Sequence, residues 1–355
     1  MIDYLIVGQG LAGTLLGYQL IRRNRSILII DEYDENSSSN VAAGLFNPIT
    51  GKRFVKTWLA DVIFPYLHEF YPELEEFLDE KFFFKKEIYR PFKNIEEQND
   101  WTSKSGDTAY TNFIKNIYQT SQFEDVHDPY GGVEIGNGGV IHLSKLISAG
   151  RKKFFDDKIL INEKFDDQNL RILDSSIRYK NIQARRIVFC MGHQNARKGF
   201  FSWLPFRPVK GEILYLKPFH PFDKIFNKGC FVTPPVDGTC RCGSTYDWRD
   251  SSCSPTEKAR KEIMEKFEKL FKIDAEILDQ KAGIRPATLD RRPFIGIHPE
   301  YESVGIFNGL GTKGVSLAPY FSDQFVGYLE NSSNLDEEVD IKRYYSLYYN
   351  SVRHR

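Results

Sequence analysis

The pattern of apolar and polar positions is most informative at the start of the chain. Tyr4 to Val7 is a short apolar run suited to a buried parallel strand, and Gly8-Gln9-Gly10-Leu11-Ala12-Gly13 follows it at once. Thr14 to Ile21 has helical spacing. A second apolar run, Ile27-Leu28-Ile29-Ile30, ends at Asp31, eighteen residues after Gly13. Strand, glycine turn, helix, strand and acid within about thirty residues make the dinucleotide-binding βαβ pattern. Gly8 permits the sharp turn, Gly10 lets the backbone approach a pyrophosphate, and Gly13 lets the helix pack on the sheet. The helix N-terminus faces the phosphates with unpaired N–H groups. Asp31 is expected to accept from a ribose hydroxyl, and its charge opposes a 2′-phosphate.

A polar loop, Asn36 to Asn40, then leads into Ala42-Ala43-Gly44 and Asn47-Pro48-Ile49-Thr50-Gly51-Lys52-Arg53. Residues 61–118 are aromatic and charged with helical spacing, as in Pro65 to Leu78, and belong to another domain. His142 to Phe155 reads as a helix, Lys158 to Asn162 and Leu170 to Leu173 as strands, and Arg186 to Gly192 as a buried strand ending in glycine. Further strands are expected at Glu212 to Leu216, Gly229 to Thr233 and Thr239 to Gly243, and an amphipathic helix at Pro255 to Phe271. Near the end, Asn308-Gly309-Leu310-Gly311-Thr312-Lys313-Gly314 opens a helix over Val315 to Leu329, a second potential oxyanion or phosphate site.

Composition narrows the class. The 355 residues are enough for about two domains, and 48 Lys+Arg balance 48 Asp+Glu, so no general polyanion binder is expected and nucleic acid is not the default partner. The five cysteines, odd in number and scattered, do not form a secreted disulfide framework. No run reaches the roughly 18 apolar residues of a membrane span, and Asp3 stands where a signal peptide carries basic residues. A soluble, unprocessed cytoplasmic protein is expected, its oligomeric state left open.

Separated motifs add a more specific reading. They are Asp3 to Gly13 with Asp31, Ser39 to Gly44, Arg186 to Gly192, Pro205 to Glu212 with its Pro-x-x-Gly-Glu, Gly283-Ile284-Arg285-Pro286 through Asp290, Pro293 and Gly296, and Asn308 to Pro319. Together they resemble the FAD-dependent D-amino-acid oxidase family, which includes glycine oxidase, sarcosine oxidase and related amine-oxidising flavoproteins. The resemblance implies an α/β fold: a discontinuous Rossmann-type FAD-binding domain (1–60, 125–200 and 283–355) and an α+β substrate domain on an antiparallel sheet (61–124 and 201–282). It implies that Gly8, Gly10, Gly13 and Asp31 hold pyrophosphate and ribose, and that Ser39, Asn40, Ala43 and Gly44 lie against pyrophosphate and flavin. It also implies that the Phe165 main chain meets the adenine, and that Gly192, Gly309, Gly311 and Gly314 line the cofactor. Sarcosine oxidases attach their flavin through a cysteine near the 284–286 segment; none stands there, so the FAD is expected to be non-covalent.

The family's chemistry removes hydride equivalents from the C–H bond beside nitrogen, so the protein chiefly binds, orients and tunes. Arg285 occupies the position of a carboxylate-clamping arginine; the alternative is an ion pair with Asp290 or an exposed loop. Lys313 follows a Gly-x-Gly-x as a carboxylate-binding lysine does, or is a solvated lysine at a helix start. Arg241 stands where sarcosine oxidases place a lysine that assists the reaction with oxygen; otherwise it is an exposed edge-strand arginine. Lys52 and Arg53 are either substrate cations or loop charges. Tyr246 and Trp248 are expected in core packing rather than the pocket, His142 and His193 stay ambiguous, and the Cys240-x-Cys242 pair is read as packing rather than metal binding. The expected substrate is a small amino acid or secondary amine. The alternatives are an aminomethyl-modified tRNA nucleoside and a flavin-binding protein without turnover; an NAD-dependent dehydrogenase fits the distant C-terminal glycine loop less well.

Overall fold

The computed structural model describes residues 1–50, 55–196, 199–218 and 222–353. Five parallel strands lie in the spatial order Leu160–Ile161, Ile27–Ile30, Ile2–Val7, Ile182–Phe189, Val304–Asn308. Numbered along the chain this is 3-2-1-4-5, the doubly wound order, whose crevice opens beyond the carboxyl ends where the order reverses, between Ile2–Val7 and Ile182–Phe189. Strands Leu170–Ile172 and Ile177–Tyr179 extend the sheet antiparallel, and Phe294–Ile297 pairs antiparallel with Val304–Asn308.

Helix Leu11–Arg22, buried from Leu11 to Leu20, packs against the late helix Gly314–Leu329. Helix Ala60–Leu78 buries Ile63, Phe64, Leu67, Phe70, Tyr71, Leu74 and Leu78 at three- and four-residue spacing. Each such side chain contributes roughly 1.5–3 kcal/mol. The division by sequence places this helix in the second domain, yet it packs on Gly314–Leu329, and the Tyr71 hydroxyl donates to Val315 O at 2.7 Å. The apolar stripe marks the face to be buried but not its partner.

The second large sheet runs Ile277–Arg285, Val209–Leu216, Cys240–Gly243, Cys230–Val232, Ile225–Lys228, Ile88–Pro91, Gly132–Ile135, Ile114–Tyr118. It is antiparallel except where Ile225–Lys228 lies parallel to Ile88–Pro91. Gly132–Ile135 joins this sheet although its position in sequence allots it to the first domain; its partners at 88–91 and 114–118 are fixed by pairing that no local pattern announces. Strand alternation gives the sheet two jobs. Leu214, Leu216, Cys240 and Cys242 pack under helix Glu257–Glu268, which contributes Ala259, Ile263 and Phe267 and is capped by Thr256. Val209, Gly211, Ile213, Gly243, Gly283 and Arg285 face a cavity between the two sheets. All five cysteines are free, and no helix among the described residues is long and apolar enough to cross a membrane.

Candidate active site

The cavity holds about 1930 Å³. Ordinary small-ligand pockets hold about 300–1,000 Å³, so there is room for a large cofactor with a substrate beside it. Val7, Ile30 and Asn308, the last residues of three parallel strands, and Cys190, next after the fourth, line it.

The glycine turn has the shape its sequence requires. Gly8 sits at φ 101°, where a Cβ would come within 2.6 Å of Cys190 O, and a Cβ on Gly13 would overlap Gly8 O. The Leu11 N–H donates to Ser39 Oγ at 3.0 Å, so the loop that follows Asp31 closes over the helix N-terminus. Asn40 lines the cavity and gives its Nδ2–H to Asp34 O, while its Oδ1 is buried without a partner. Ala43 and Gly44 (φ 72°) continue that wall. Asp31 accepts from the Gln9 N–H at 2.9 Å and from Arg151 Nη1 at 2.7 Å. Arg151, 120 residues away on helix Leu143–Asp156, also reaches Asn162 Oδ1 and lies over the Tyr33 ring; nothing in the sequence marks it. Phe165 stacks on Tyr179 at 4.8 Å and lines the same end.

At the other end, Gly192 and the loop of Gly309, Gly311 and Gly314 line the cavity together. Asn308 joins them, donating through Nδ2 to Gly192 O (2.8 Å) and Asn195 Oδ1 (2.6 Å) and accepting from the Gly309 N–H. Lys313 is the N-cap of the following helix, half-buried; burial, then Arg292 and Arg291, hold its pKa below the usual lysine value.

Arg285 ends its strand inside the cavity. Nη2 donates to Ser244 Oγ (2.9 Å), Nη1 to Thr245 O (3.2 Å), and the guanidinium lies 4.7 Å from the Tyr246 ring centroid. It makes no ion pair with Asp290, which accepts instead from Arg343 Nε and the Tyr344 hydroxyl, each at 3.0 Å. Across the ladder, Gly211 provides a seat: a Cβ there would overlap the guanidinium. Lys210 and Glu212, alternating with Gly211, point to the sheet's other face and are almost fully buried. Lys210 Nζ donates to Asp250 Oδ2 (2.6 Å) and Ser254 O, and Glu212 accepts from the Thr256 N–H and hydroxyl. The Pro-x-x-Gly-Glu stretch thus seats the arginine and staples loop 244–256, which supplies Arg285's partners. That loop also carries Tyr246 and Trp248, 57% and 61% exposed at the cavity rim, so the expectation of core packing for both is corrected.

Arg241 does not join them. It shares a sheet face with Gly243, but Nη2 turns to Asp237 Oδ2 (3.1 Å) beside His142 Nε2, which is itself 2.8 Å from the same carboxylate oxygen. The guanidinium is buried in this cluster, outside the cavity lining, and is neither a charge facing the cavity nor an exposed edge arginine. Asp237, between His142, Thr239 and Arg241, is held far below the usual carboxylate range. Arg241→Met should therefore cost stability, about 1–3 kcal/mol, seen as a lowered Tm; an unaltered Tm would contradict this placement. Lys52 and Arg53 lie outside the described residues, and His193 lines the cavity. Among the described residues no cluster of His, Cys, Asp or Glu could hold a metal ion.

A family model described as DAO, FAD dependent oxidoreductase, matches residues 3–325. The chain belongs to this family. Among solved structures, this FAD-dependent oxidoreductase is similar to glycine oxidase from Geobacillus kaustophilus (19% identity, TM-score 0.79, 97% of each chain covered). It is equally similar to iminodiacetate oxidase from Chelativorans sp. BNC1 (19% identity, TM-score 0.78, 96% of this chain and 98% of that one). Among curated proteins it is 23% identical over 304 residues to the tRNA 5-methylaminomethyl-2-thiouridine biosynthesis bifunctional protein MnmC of Campylobacter jejuni subsp. doylei, covering 82% of this chain and 45% of the relative. It is 26% identical over 224 residues to glycine oxidase of Bacillus subtilis (61% and 55%). The chain spans about half the length of these curated relatives.

FAD is the cofactor of the family, and the residues fit it. Gly8 and Gly10 bring bare backbone to the cavity wall at the start of the first helix, with only the small Ser39 hydroxyl over its first N–H, and the orphaned Asn40 Oδ1 gains a partner from a ligand hydroxyl laid along that wall.

Proposed function

We propose that the protein oxidises the C–N bond of an amino acid or secondary amine that carries a carboxylate, using FAD held without a covalent bond. The observation that carries this reading is Arg285: a half-buried guanidinium inside the cavity whose hydrogen-bond partners, Ser244 Oγ and Thr245 O, are neutral. Such a fork is stabilised by a planar anion it can grip with two donors. Gly8, Gly10, Gly13 and Asp31 would hold the pyrophosphate and ribose, and Ser39, Asn40, Ala43 and Gly44 the adjoining wall. Gly192, Gly309, Gly311 and Gly314 would approach the ring, and the backbone at Phe165 the adenine. When bound, FAD takes hydride equivalents from the C–H bond beside nitrogen, leaving an imine that water hydrolyses. The protein's own part is to fix the carboxylate on Arg285 and so present that C–H bond, and to shield it beneath Tyr246.

Anaerobic mixing with a panel of amino acids and N-methyl amines should bleach the flavin; a panel that never does so leaves a flavin-binding protein without turnover. Acid denaturation should release the yellow colour into the supernatant, and colour retained in the pellet would contradict non-covalent binding. A second reading, an aminomethyl-modified tRNA nucleoside, is supported by the exposed Tyr246 and Trp248 at the rim, which suit stacking on a base, and by the MnmC relatives. Filter binding to bulk tRNA at two salt concentrations separates the two, because phosphate contacts make retention strongly salt-dependent.

A further inference from the structure

The carboxylate of Asp31 is held from two sides by the protein itself. Oδ2 accepts from the Gln9 N–H at 2.9 Å, within the glycine turn, and Oδ1 accepts from Arg151 Nη1 at 2.7 Å. An ionised carboxylate has about four acceptor positions. Each oxygen therefore keeps room for a further donor from the cavity that Asp31 lines.

Arg151 is fully engaged in doing this. Nη1 also donates to Gln9 Oε1 (3.3 Å), and Nη2 donates to Asn162 Oδ1 (2.7 Å) and Asp31 O (3.4 Å), so each terminal N–H of the guanidinium has a protein acceptor. The group lies 5.3 Å from the Tyr33 ring centroid, its side chain is 18% exposed, and it does not line the cavity. With its terminal donors spent, Arg151 does not grip a phosphate directly and acts on a ligand through Asp31. Gln9 ties the same cluster to both helices, since Nε2 donates to Thr14 Oγ1 at 3.0 Å and to Ile147 O at 3.1 Å. Gly150 lets helix Leu143–Asp156 come this close: a Cβ there would stand 2.9 Å from Thr14 Cγ2. A closed network of this kind fixes one orientation of the carboxylate and removes the entropy a free side chain would lose on binding.

We infer that Arg151 is a positioning residue for the cofactor, holding the Asp31 carboxylate in the orientation that receives the adenosine ribose hydroxyls. The inference rests on the reading of Asp31 as the ribose acceptor, and it makes that contact depend on a residue 120 positions away.

The test reads cofactor binding rather than turnover. FAD-loaded protein is diluted through its Kd, and the flavin that passes an ultrafiltration membrane is measured by absorbance. Arg151→Met and Asp31→Asn should each raise the Kd about tenfold or more, the worth of one charge-assisted hydrogen bond. The double variant should be no weaker than the weaker single one, because both act on the same contact. Arg151→Lys, which keeps the charge and loses the fork, should fall between. Displacing the FAD with ADP and with 2′,3′-dideoxy-ADP locates the loss. The wild-type protein should prefer ADP, and Arg151→Met should lose that preference while binding the dideoxy nucleotide nearly as before; an arginine that only supports the fold would weaken both alike. A Kd within about twofold of wild type in Arg151→Met, or an ADP preference that this variant keeps in full, would overturn the inference. A wild-type Kd in Asp31→Asn would overturn the ribose reading with it and leave amine oxidation intact. Asn162 is exposed, so Asn162→Ala frees Arg151 from one anchor without opening the core and should weaken FAD by about threefold. Should Arg151→Met not fold, a wild-type Kd in both Asn162→Ala and Arg151→Lys would overturn the inference equally.

Discussion

Arg285→Leu should lower kcat/KM for a carboxylate-bearing amine on the order of 100-fold, most of it as a rise in KM, with FAD content unchanged. The magnitude follows from the interaction removed: a two-pronged hydrogen bond between guanidinium and carboxylate is worth about 3 kcal/mol, and each 1.4 kcal/mol is about tenfold. The partition follows from position. Arg285 holds the substrate rather than the reacting bond, so its loss weakens ground state and transition state together. Burial already lowers the Arg285 pKa from its usual value, yet a guanidinium keeps its proton throughout the working pH range, so the loss should not depend on pH. Arg285→Lys should fall between the two, keeping the charge and losing the fork. Steady-state kinetics with the best substrate from the amine panel, beside the ratio of flavin to protein absorbance, measures this. An unchanged KM would move the carboxylate to Lys313.

The parts of this site legible in the sequence are those whose reason is local. Gly8 turns at a positive φ and Gly13 has no room for a Cβ beside Gly8 O, both conditions of the turn itself, and Asp31 falls at the end of the next strand by simple counting. The helices Leu11–Arg22, Leu143–Asp156 and Gly314–Leu329 are marked by periodicity and flanking glycine or cap residues. What the sequence hides depends on pairing between distant segments. Arg151 reaches Asp31 only because helix Leu143–Asp156 packs beside the glycine turn and helix Leu11–Arg22. Arg241 sits on a cavity-facing side of its strand, yet Asp237 and His142 draw its guanidinium away, and alternation along a strand cannot foresee where a long side chain ends. Tyr246 and Trp248 look like core residues by type; they stand at the rim because Lys210 and Glu212 hold their loop from the opposite face of the sheet.

The two halves of the molecule build their ends of the cavity by different means. The parallel sheet supplies the cofactor end through turns at its strand ends, a solution that needs only small residues and backbone N–H groups. The second sheet supplies the substrate end through side chains on its cavity face. Precision there comes from the opposite face, where Lys210, Glu212, Gln280 and Thr256 form a buried, mutually satisfied network. A charge network placed behind the strand can stiffen the loop in front of it without entering the cavity or altering its electrostatics at close range.

Gly211→Ala tests that arrangement most directly, because it keeps every charged group and changes only a position. The added Cβ would overlap the Arg285 guanidinium. The cheapest relief is for that flexible end to swing away, since the Gly211 backbone is fixed by its pairing with Gly283 and by the bridge from Lys210 to Asp247. Stability should change by less than about 1 kcal/mol, because a moved arginine tip opens no cavity and Ala is tolerated at extended φ. Catalysis should not be spared. A displacement of about 1 Å in a positioning group can cost on the order of 100-fold, so kcat/KM should approach that of Arg285→Leu while Tm and flavin content stay at wild-type values. The double variant Gly211→Ala/Arg285→Leu should be no worse than Arg285→Leu alone, since both remove the same clamp. Additive losses in that cycle, or a Gly211→Ala protein with wild-type KM, would show that Gly211 does not seat the arginine and that the guanidinium finds the carboxylate from another direction.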